Sequence, residues 1–479
     1  MKKFLAVLMA LLMILSIAAC GDTTGGDGGK KEPSQPTSGG EGKSGAEFPA
    51  VAGFFDPTYD YSKNKRFKVG YLVTATSFLF DEFDKAFADW AERMNINYTG
   101  MWAPAAGSND EYLSGIQTFA DQGYDGLLLD GDINLYPRIN EICEELGVAW
   151  MPCMSQAREY GNMYMMGGTL VPGRLIHPYV GFDDNYFGVA EADKLEEWRV
   201  KNYPDVPLEK VGFIYVGYSL ATQLNERYLG AKKRWTELHP EVGAYSPDPQ
   251  NNPRNFFYAD VSTAGAADQT AAQNLVTQYL SNPGDVEIWL IAAAFDDYAM
   301  GAANAAQNLG FTDKTCVACS GGSNLILQWD SGIRNAWRYA LFTAQSLYAE
   351  PIISALWAMM AGQATADEIW PDWCMVYDKG DVFKLSEDLD PTYGVPYVEV
   401  GADGKPVVLE EHHYAQLKLP TYWLELETYQ QYLEWTDLYA YGEGHPGHYT
   451  YEPVTDLNLF SARMEVPESY KVWPSLERP

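Results

Sequence analysis

The chain has 479 residues, a formal net charge of −32 and 47% hydrophobic residues. That apolar content excludes a disordered polymer, and the length predicts about two to four domains. The acidity argues against nucleic acid and anionic lipid as partners, and against an anionic ligand unless a local basic pocket overrides it.

Lys2 and Lys3 precede an apolar run, residues 4–14, and then small residues up to Cys20. The order reads as a secretory signal peptide, residues 1–20, too short for a membrane span. Leu15-Ser16-Ile17-Ala18-Ala19-Cys20 resembles the bacterial lipobox, whose Cys is lipidated and becomes the mature N-terminus. The alternative is an ordinary cleaved signal ending in Cys. The lipobox reading implies a lipid anchor at Cys20 on the extracytoplasmic face of the cell membrane, away from ATP and NAD. Residues 21–47 are Gly, Ser, Thr, Pro, Lys and Glu with almost nothing apolar, a flexible linker with a reach of about 30 Å.

The folded part is expected to begin near Phe48. Apolar spacing predicts strands at 67–73, 96–102, 126–130 and 148–153, alternating with helices at 80–94, from Ser108 to Gly123, and at 135–146. Ser108-Asn-Asp-Glu111 reads as a capping box. Residues 160–180, rich in Gly, Met and Tyr, break the rhythm and read as an inserted hairpin. Alternation resumes with helices at 186–200, 221–238, 266–280, 296–309, 325–333 and 347–361. Strands fall at 210–216, 256–261, 286–293, 315–320 and 336–341. This order predicts two α/β units in tandem, each a parallel sheet with helices on both faces. Residues 364–479 form an aromatic-rich C-terminal extension, with a hairpin signal at Asp403-Gly404 and a helix over 423–439. Six Cys include Cys20, so five remain and cannot all pair. Cys316 and Cys319 lie in a strand-like run where i and i+3 face opposite sides, which predicts buried thiols and not zinc ligands.

Four stretches carry a resemblance. They are Thr76-Ser77-Phe78-Leu79-Phe80 after the first strand, Gln122-Gly123-Tyr124-Asp125-Gly126-Leu127-Leu128-Leu129, Val180-Gly181-Phe182-Asp183-Asp184-Asn185 with Gly188, and Phe295-Asp296-Asp297-Tyr298-Ala299-Met300-Gly301-Ala302. Their order over residues 66–362 resembles the type I periplasmic binding proteins, the ribose/galactose-binding-like sugar-binding components of ABC importers. Departures are Ser77-Phe78-Leu79 for Asn-Pro-Phe, Phe295 for Asn, and Ser320 for Asp in Gly-Phe-Asp-Gly. The resemblance implies an α/β fold of two doubly wound parallel-sheet lobes joined by a three-segment hinge. One lobe would be 48–182 with 321–345, the other 183–320 with 346–363. The crossings would lie near 154–182, 321–323 and 343–346.

A sugar needs carboxylates, amides and Arg at its hydroxylated edge and aromatics on its C–H face. Such groups converge at the carboxyl ends of parallel strands. Phe78 and Phe80 are the stacking candidates, with core burial the alternative for Phe80. Asp130 and Asp132 follow the third strand, as hydroxyl acceptors or helix caps. The run Asp130-Gly-Asp132-Ile-Asn134 with Glu141 mimics a calcium loop, but Leu135 stands where that loop needs Gly. By resemblance, Arg158 donates to a sugar oxygen, or else is an exposed hinge residue. Asp296 is a ligand acceptor or an N-cap. Gln345 matches a hinge amide, Asn225 lies near a family Arg position, and Tyr218 and Trp102 are further aromatics, Trp102 more in keeping with packing.

These residues imply a solute-binding protein without a cofactor or metal and without enzymatic activity. Its partners are a small ligand of the sugar or polyol class, an ABC transporter permease, and the membrane through the lipid anchor. A sensing role toward a membrane kinase or chemoreceptor is the alternative function. A surface glycoside hydrolase is the remote one, since it needs a paired carboxylate that no motif singles out.

Overall fold

A computed structural model describes residues 48–74, 76, 78–105, 108–131, 135–153, 179–181, 184–342, 345–369, 381–383, 385–389, 396–398, 401–402, 407–411, 416–418, 421–436 and 471–472. The signal, Cys20 and the linker lie outside them, as do Asp132, Arg158, Asp403, Gly404 and most of 160–180.

The first sheet is parallel, with strands β1 (Lys68–Val73), β2 (Asn97–Trp102), β3 (Gly126–Asp130) and β4 (Ala149–Pro152) in the order β2-β1-β3-β4. β1 and β3 are almost wholly buried, as strands covered on both faces must be. Helices α1 (Phe78–Arg93), α2 (Asn109–Asp121) and α3 (Tyr136–Leu146) connect the strands. Phe83, Phe87 and Trp90 on α1 fill one side of the sheet at helical spacing. The Ser108 hydroxyl caps α2 by accepting from the Glu111 N–H, and the Glu111 carboxylate accepts from the Ala105 N–H.

A three-residue strand, β5 (Tyr179–Gly181), lies beside β4. The chain then enters a second unit at helix α4 (Asp184–Asn202). There follow β6 (Val211–Gly217), α5 (Thr222–Leu238), β7 (Phe256–Asp260), α6 (Gln269–Ser281), β8 (Ile288–Ala293), α7 (Asp296–Asn308), β9 (Thr315–Ser320), α8 (Ser323–Asp330) and β10 (Trp337–Phe342). Strands β7, β6, β8, β9 and β10 are parallel neighbours in that order. Both sheets thus share one winding: the first strand sits between the second and third. Helices α4 and α5 cross at Gly188 and Gly230, where any Cβ would overlap the backbone carbonyls of Arg227 and Asn185. Only glycine permits that approach.

The expected lobe membership of 321–363 is reversed. β10 pairs with β9 and belongs to the second sheet, while helix α9 (Gln345–Ala361) packs on α1, β3 and β4 of the first. Apolar patterning marks both as buried but cannot say against which sheet. The crossing expected at 321–323 is likewise a turn inside the second unit. Gly321 (φ 108°) and Gly322 (φ 131°) make that turn.

The extension is partly structural. β11 (Asp381–Phe383) pairs with β14 (Val408–Glu411), and β12 (Leu385–Leu389) with β13 (Pro396–Val398). These are nested pairs, and among the described residues the strands on either side of the expected hairpin turn, β13 and β14, are not paired with each other. β15 (Gln416–Lys418) joins β5 in parallel, and β16 (Thr421–Leu424) pairs antiparallel with β10. β17 (Lys471–Val472) extends the edge beyond β16. The helix expected over 423–439 is, among the described residues, confined to α10 (Tyr429–Thr436), because 421–424 is drawn into the sheet with Tyr422 and Leu424 fully buried. The chain passes between the units after Gly181 and after Phe342, and again between β15 and β16.

Candidate functional site

In an open parallel sheet the crevice lies beyond the carboxyl ends of the strands that flank the reversal of strand order. Here those strands are β1 and β3 in the first unit and β6 and β8 in the second. Asp130 is the last residue of β3 and lies opposite Val73 of β1. Asp296 follows β8 by three residues, and Tyr218 follows β6 directly. The topology therefore brings an acidic residue to the switch point of each sheet.

Asp130 is buried, and its Oδ2 has no hydrogen-bond partner among the described residues. Burial pushes its carboxyl up to about 8, with the Tyr71 hydroxyl of β1 pulling the other way. Below that pH the group is protonated and can donate as well as accept, which suits a hydroxyl partner. Cys153, just past β4, feels the same carboxylate, and its own thiol is held well above the ordinary range by burial.

Asp296 opens α7 but caps a different helix. Its Oδ1 accepts from the Gly322 N–H at 2.5 Å and its Oδ2 from the Asn324 N–H at 2.7 Å. It thereby pins the amino end of α8 to the end of β8. Burial raises its carboxyl to about 6, against the pull of the Asn324 and Gly322 donors. A Cβ at position 321 would collide with Oδ1, a second reason for glycine there.

Behind Asp296 lies a buried charge network. Arg227 donates from Nε to Asp184 Oδ1 at 2.6 Å and from Nη1 to the Ala294 carbonyl at 2.5 Å. Asp184 is where the chain enters the second unit, and Ala294 is two residues before Asp296. Glu191, wholly buried, accepts from the Ser320 hydroxyl at 2.9 Å. Burial lifts its carboxyl to about 8, opposed first by Ser320 and then by Arg227. An Asp at position 320 would set two carboxyls against each other, which gives Ser320 a physical reason. Glu191 is absent from the candidates read from sequence, although a signal for it exists. Phe187, Glu191, Leu195 and Trp198 form an apolar helical stripe interrupted by one charge, and all four are buried.

The other candidates are placed as follows. Phe80 is half-buried on α1 and packs against the main core. Phe78 and Gln345 are the first residues of α1 and α9. Asn225 is half-buried on α5, and Tyr218 packs against the core. Trp102 packs on Phe119 with ring centroids 5.9 Å apart. Asp132 and Arg158 lie outside the described residues. The described cysteines Cys143, Cys153, Cys316 and Cys319 are buried free thiols. Among the described residues no three His, Cys, Asp or Glu side chains gather as a metal site, and no helix is long and apolar enough to cross a membrane.

The family model described as the periplasmic binding protein domain matches residues 69–363. The chain belongs to this family. Periplasmic binding proteins of this type I fold are non-enzymatic solute-binding proteins, and the two wound sheets are their lobes. Similar solved structures include an ABC transporter solute-binding protein from Bacillus halodurans with bound myo-inositol, at 12% identity and TM-score 0.49, covering 77% of this chain and 97% of that one. Another, from Actinobacillus succinogenes with bound D-allose, has 16% identity and TM-score 0.48, covering 62% and 93%. The Caulobacter myo-inositol binding protein has 17% identity and TM-score 0.46, covering 63% and 90%. No curated protein matches the chain.

The raised carboxyls give the periplasmic binding protein fold a defined pH response. Unfolded Asp and Glu lose their protons near pH 4. Folded Asp130 and Glu191 keep theirs until about 8. Between those limits the folded state binds more protons, so stability falls as pH rises, by up to about 1.4 kcal/mol per pH unit for each group. Urea unfolding at pH 5 and pH 8 should show this fall, and Asp130→Asn or Glu191→Gln should each flatten it. An unchanged slope in both variants would remove these carboxyls as its origin.

Proposed function

We propose that this chain is a lipid-anchored, extracytoplasmic solute-binding protein that captures a sugar or related small polar ligand between its lobes and delivers it to an ABC importer. The observation that carries the reading is the position of Asp130 and Asp296 at the switch points of two sheets joined by chain crossings. Asp130 is the direct ligand contact in this proposal, with its protonated carboxyl facing a hydroxyl. Asp296 acts mainly by holding the Gly321-Gly322 turn, since both its oxygens already accept backbone N–H groups. Phe78, Phe80, Asp132, Arg158, Asn225 and Gln345 complete the proposed ligand set. Lobe closure on the ligand would be the signal that the permease reads. The family membership supports solute binding.

The test is thermal unfolding of residues 48–479, stripped of carried ligand, against monosaccharides, inositols, other polyols and nucleosides. Myo-inositol and D-allose, each bound in a similar structure, belong in that panel. A ligand at 100 times its dissociation constant should add about 2.7 kcal/mol of stability. Asp130→Ala should weaken it by at least about tenfold, the scale of one hydrogen bond to a buried group. A panel without any shift would overturn the sugar assignment. Mass spectrometry of the mature protein from membranes tests the anchor: Cys20 should carry acyl chains, and Cys20→Ser should release the protein.

A further inference from the structure

A cavity of about 290 Å3 lies on the second lobe at the amino end of β10, the end of the sheet opposite its carboxyl edge. Three tryptophans line it: Trp198 from the last turns of α4, Trp329 from α8 and Trp337 from the start of β10. Three cations share the wall, Lys201, Arg334 and Arg338, and Glu427 is the acid among them. In a chain of net charge −32 this is a local reversal of sign.

The cations are not spent on ion pairs among the described residues. Arg334 donates from Nη1 to the carbonyls of Trp329 and Ile333. Arg338 donates from Nη2 to the Thr312 carbonyl at 3.2 Å, and its guanidinium lies 5.6 Å from the Trp198 ring centroid. Its Nε–H is buried and meets no acceptor among the described residues. The carboxylate of nearby Asp330 accepts the Tyr429 hydroxyl at 2.7 Å.

We propose that this cavity is a second ligand site, separate from the cleft between the lobes, and that it takes a single-ring carboxylate. The volume is at the small end of the roughly 300–1,000 Å3 range of small-molecule pockets, which fits one ring and not a polymer. The three indoles are buried, while Lys201, Asn202 and Arg334 are exposed to an entering ligand. Guanidinium groups recognise carboxylate through paired, charge-assisted hydrogen bonds. A neutral ring would leave the excess of three cations over Glu427 without a counter-charge and should bind less well. Two sources share this chemistry, a sugar acid and an aromatic acid.

Calorimetric titration of the purified 48–479 protein with D-glucuronate, benzoate and neutral D-glucose decides the matter. Three proteins are compared: wild type, the Lys201→Ala/Arg334→Ala double variant, whose substituted residues are exposed, and Asp130→Ala. One of the two acids should bind wild type, lose at least about tenfold in affinity in the double variant, and keep it in Asp130→Ala. Which acid binds identifies the source. Loss of binding in Asp130→Ala with retention in the double variant would place the acid in the cleft and overturn the second site. So would glucose binding equal to that of the acids and unchanged in the double variant, or no acid binding up to the millimolar range. The cleft reading survives each of these outcomes, because it is decided by the panel of neutral sugars and polyols and not by acid binding.

Discussion

Arg227→Ala will cost about 3–5 kcal/mol of folding stability, a large fraction of what a domain of this kind holds in reserve. The guanidinium is almost wholly shielded from water, as is the Asp184 carboxylate it meets. Removing the cation leaves that carboxylate in a low-dielectric setting without its counter-charge, and it also removes the donor to the Ala294 carbonyl. The Phe187 ring, 5.1 Å from the guanidinium, loses its packing partner as well. Urea unfolding gives the loss directly. Arg227→Met separates charge from volume, since it fills much of the space without donating. Both variants should weaken cleft binding too, because Arg227 ties the helix that begins at Asp184 to the loop that carries Asp296. A methionine variant with wild-type stability and wild-type ligand affinity would show that the network contributes to neither.

Deleting residues 364–479 should unfold the second lobe. From composition, the aromatics of this segment bind glycan, pack over the lobes or restrain the hinge. The structure makes part of it an edge strand. β16 contributes Tyr422 and Leu424, both fully buried, and Tyr429 of α10 packs on Trp329 with centroids 4.9 Å apart. Fully burying each such side chain contributes about 1.5–3 kcal/mol, so losing three approaches the whole stability of a typical domain. Loss of β16 also exposes the unpaired edge of β10, an invitation to aggregation. The point variant Tyr422→Ala should cost about 3–5 kcal/mol on its own. A truncated protein that melts cooperatively at the wild-type temperature would show that β16 is dispensable.

The alternation of short apolar runs with amphipathic stretches specified the parallel strands and their helices closely. Strand β3 runs over 126–130 and β9 over 315–320, as the apolar runs predict, because a strand buried on both faces leaves an unbroken apolar signature. The same local reasoning placed Asp130 and Asp296 at strand ends, and four family-like stretches pointed to the fold. What those residues do was less legible. Whether an acid caps a helix or meets a ligand depends on which N–H groups arrive from elsewhere in the chain. For Asp296 they come from Gly322 and Asn324, 26 and 28 residues on.

Within the two wound sheets the sequence by itself determined element type and order, since periodicity is a local property of backbone geometry. Only the tertiary structure decided partnership: β10 with the second sheet, α9 with the first, the crossing between β15 and β16, and Glu191 beside Ser320. Apolar burial is non-directional. It tells a segment to leave water, and it does not say which of two equally apolar sheets will receive it. That choice is made by hydrogen-bond registry and side-chain fit between residues far apart in the chain.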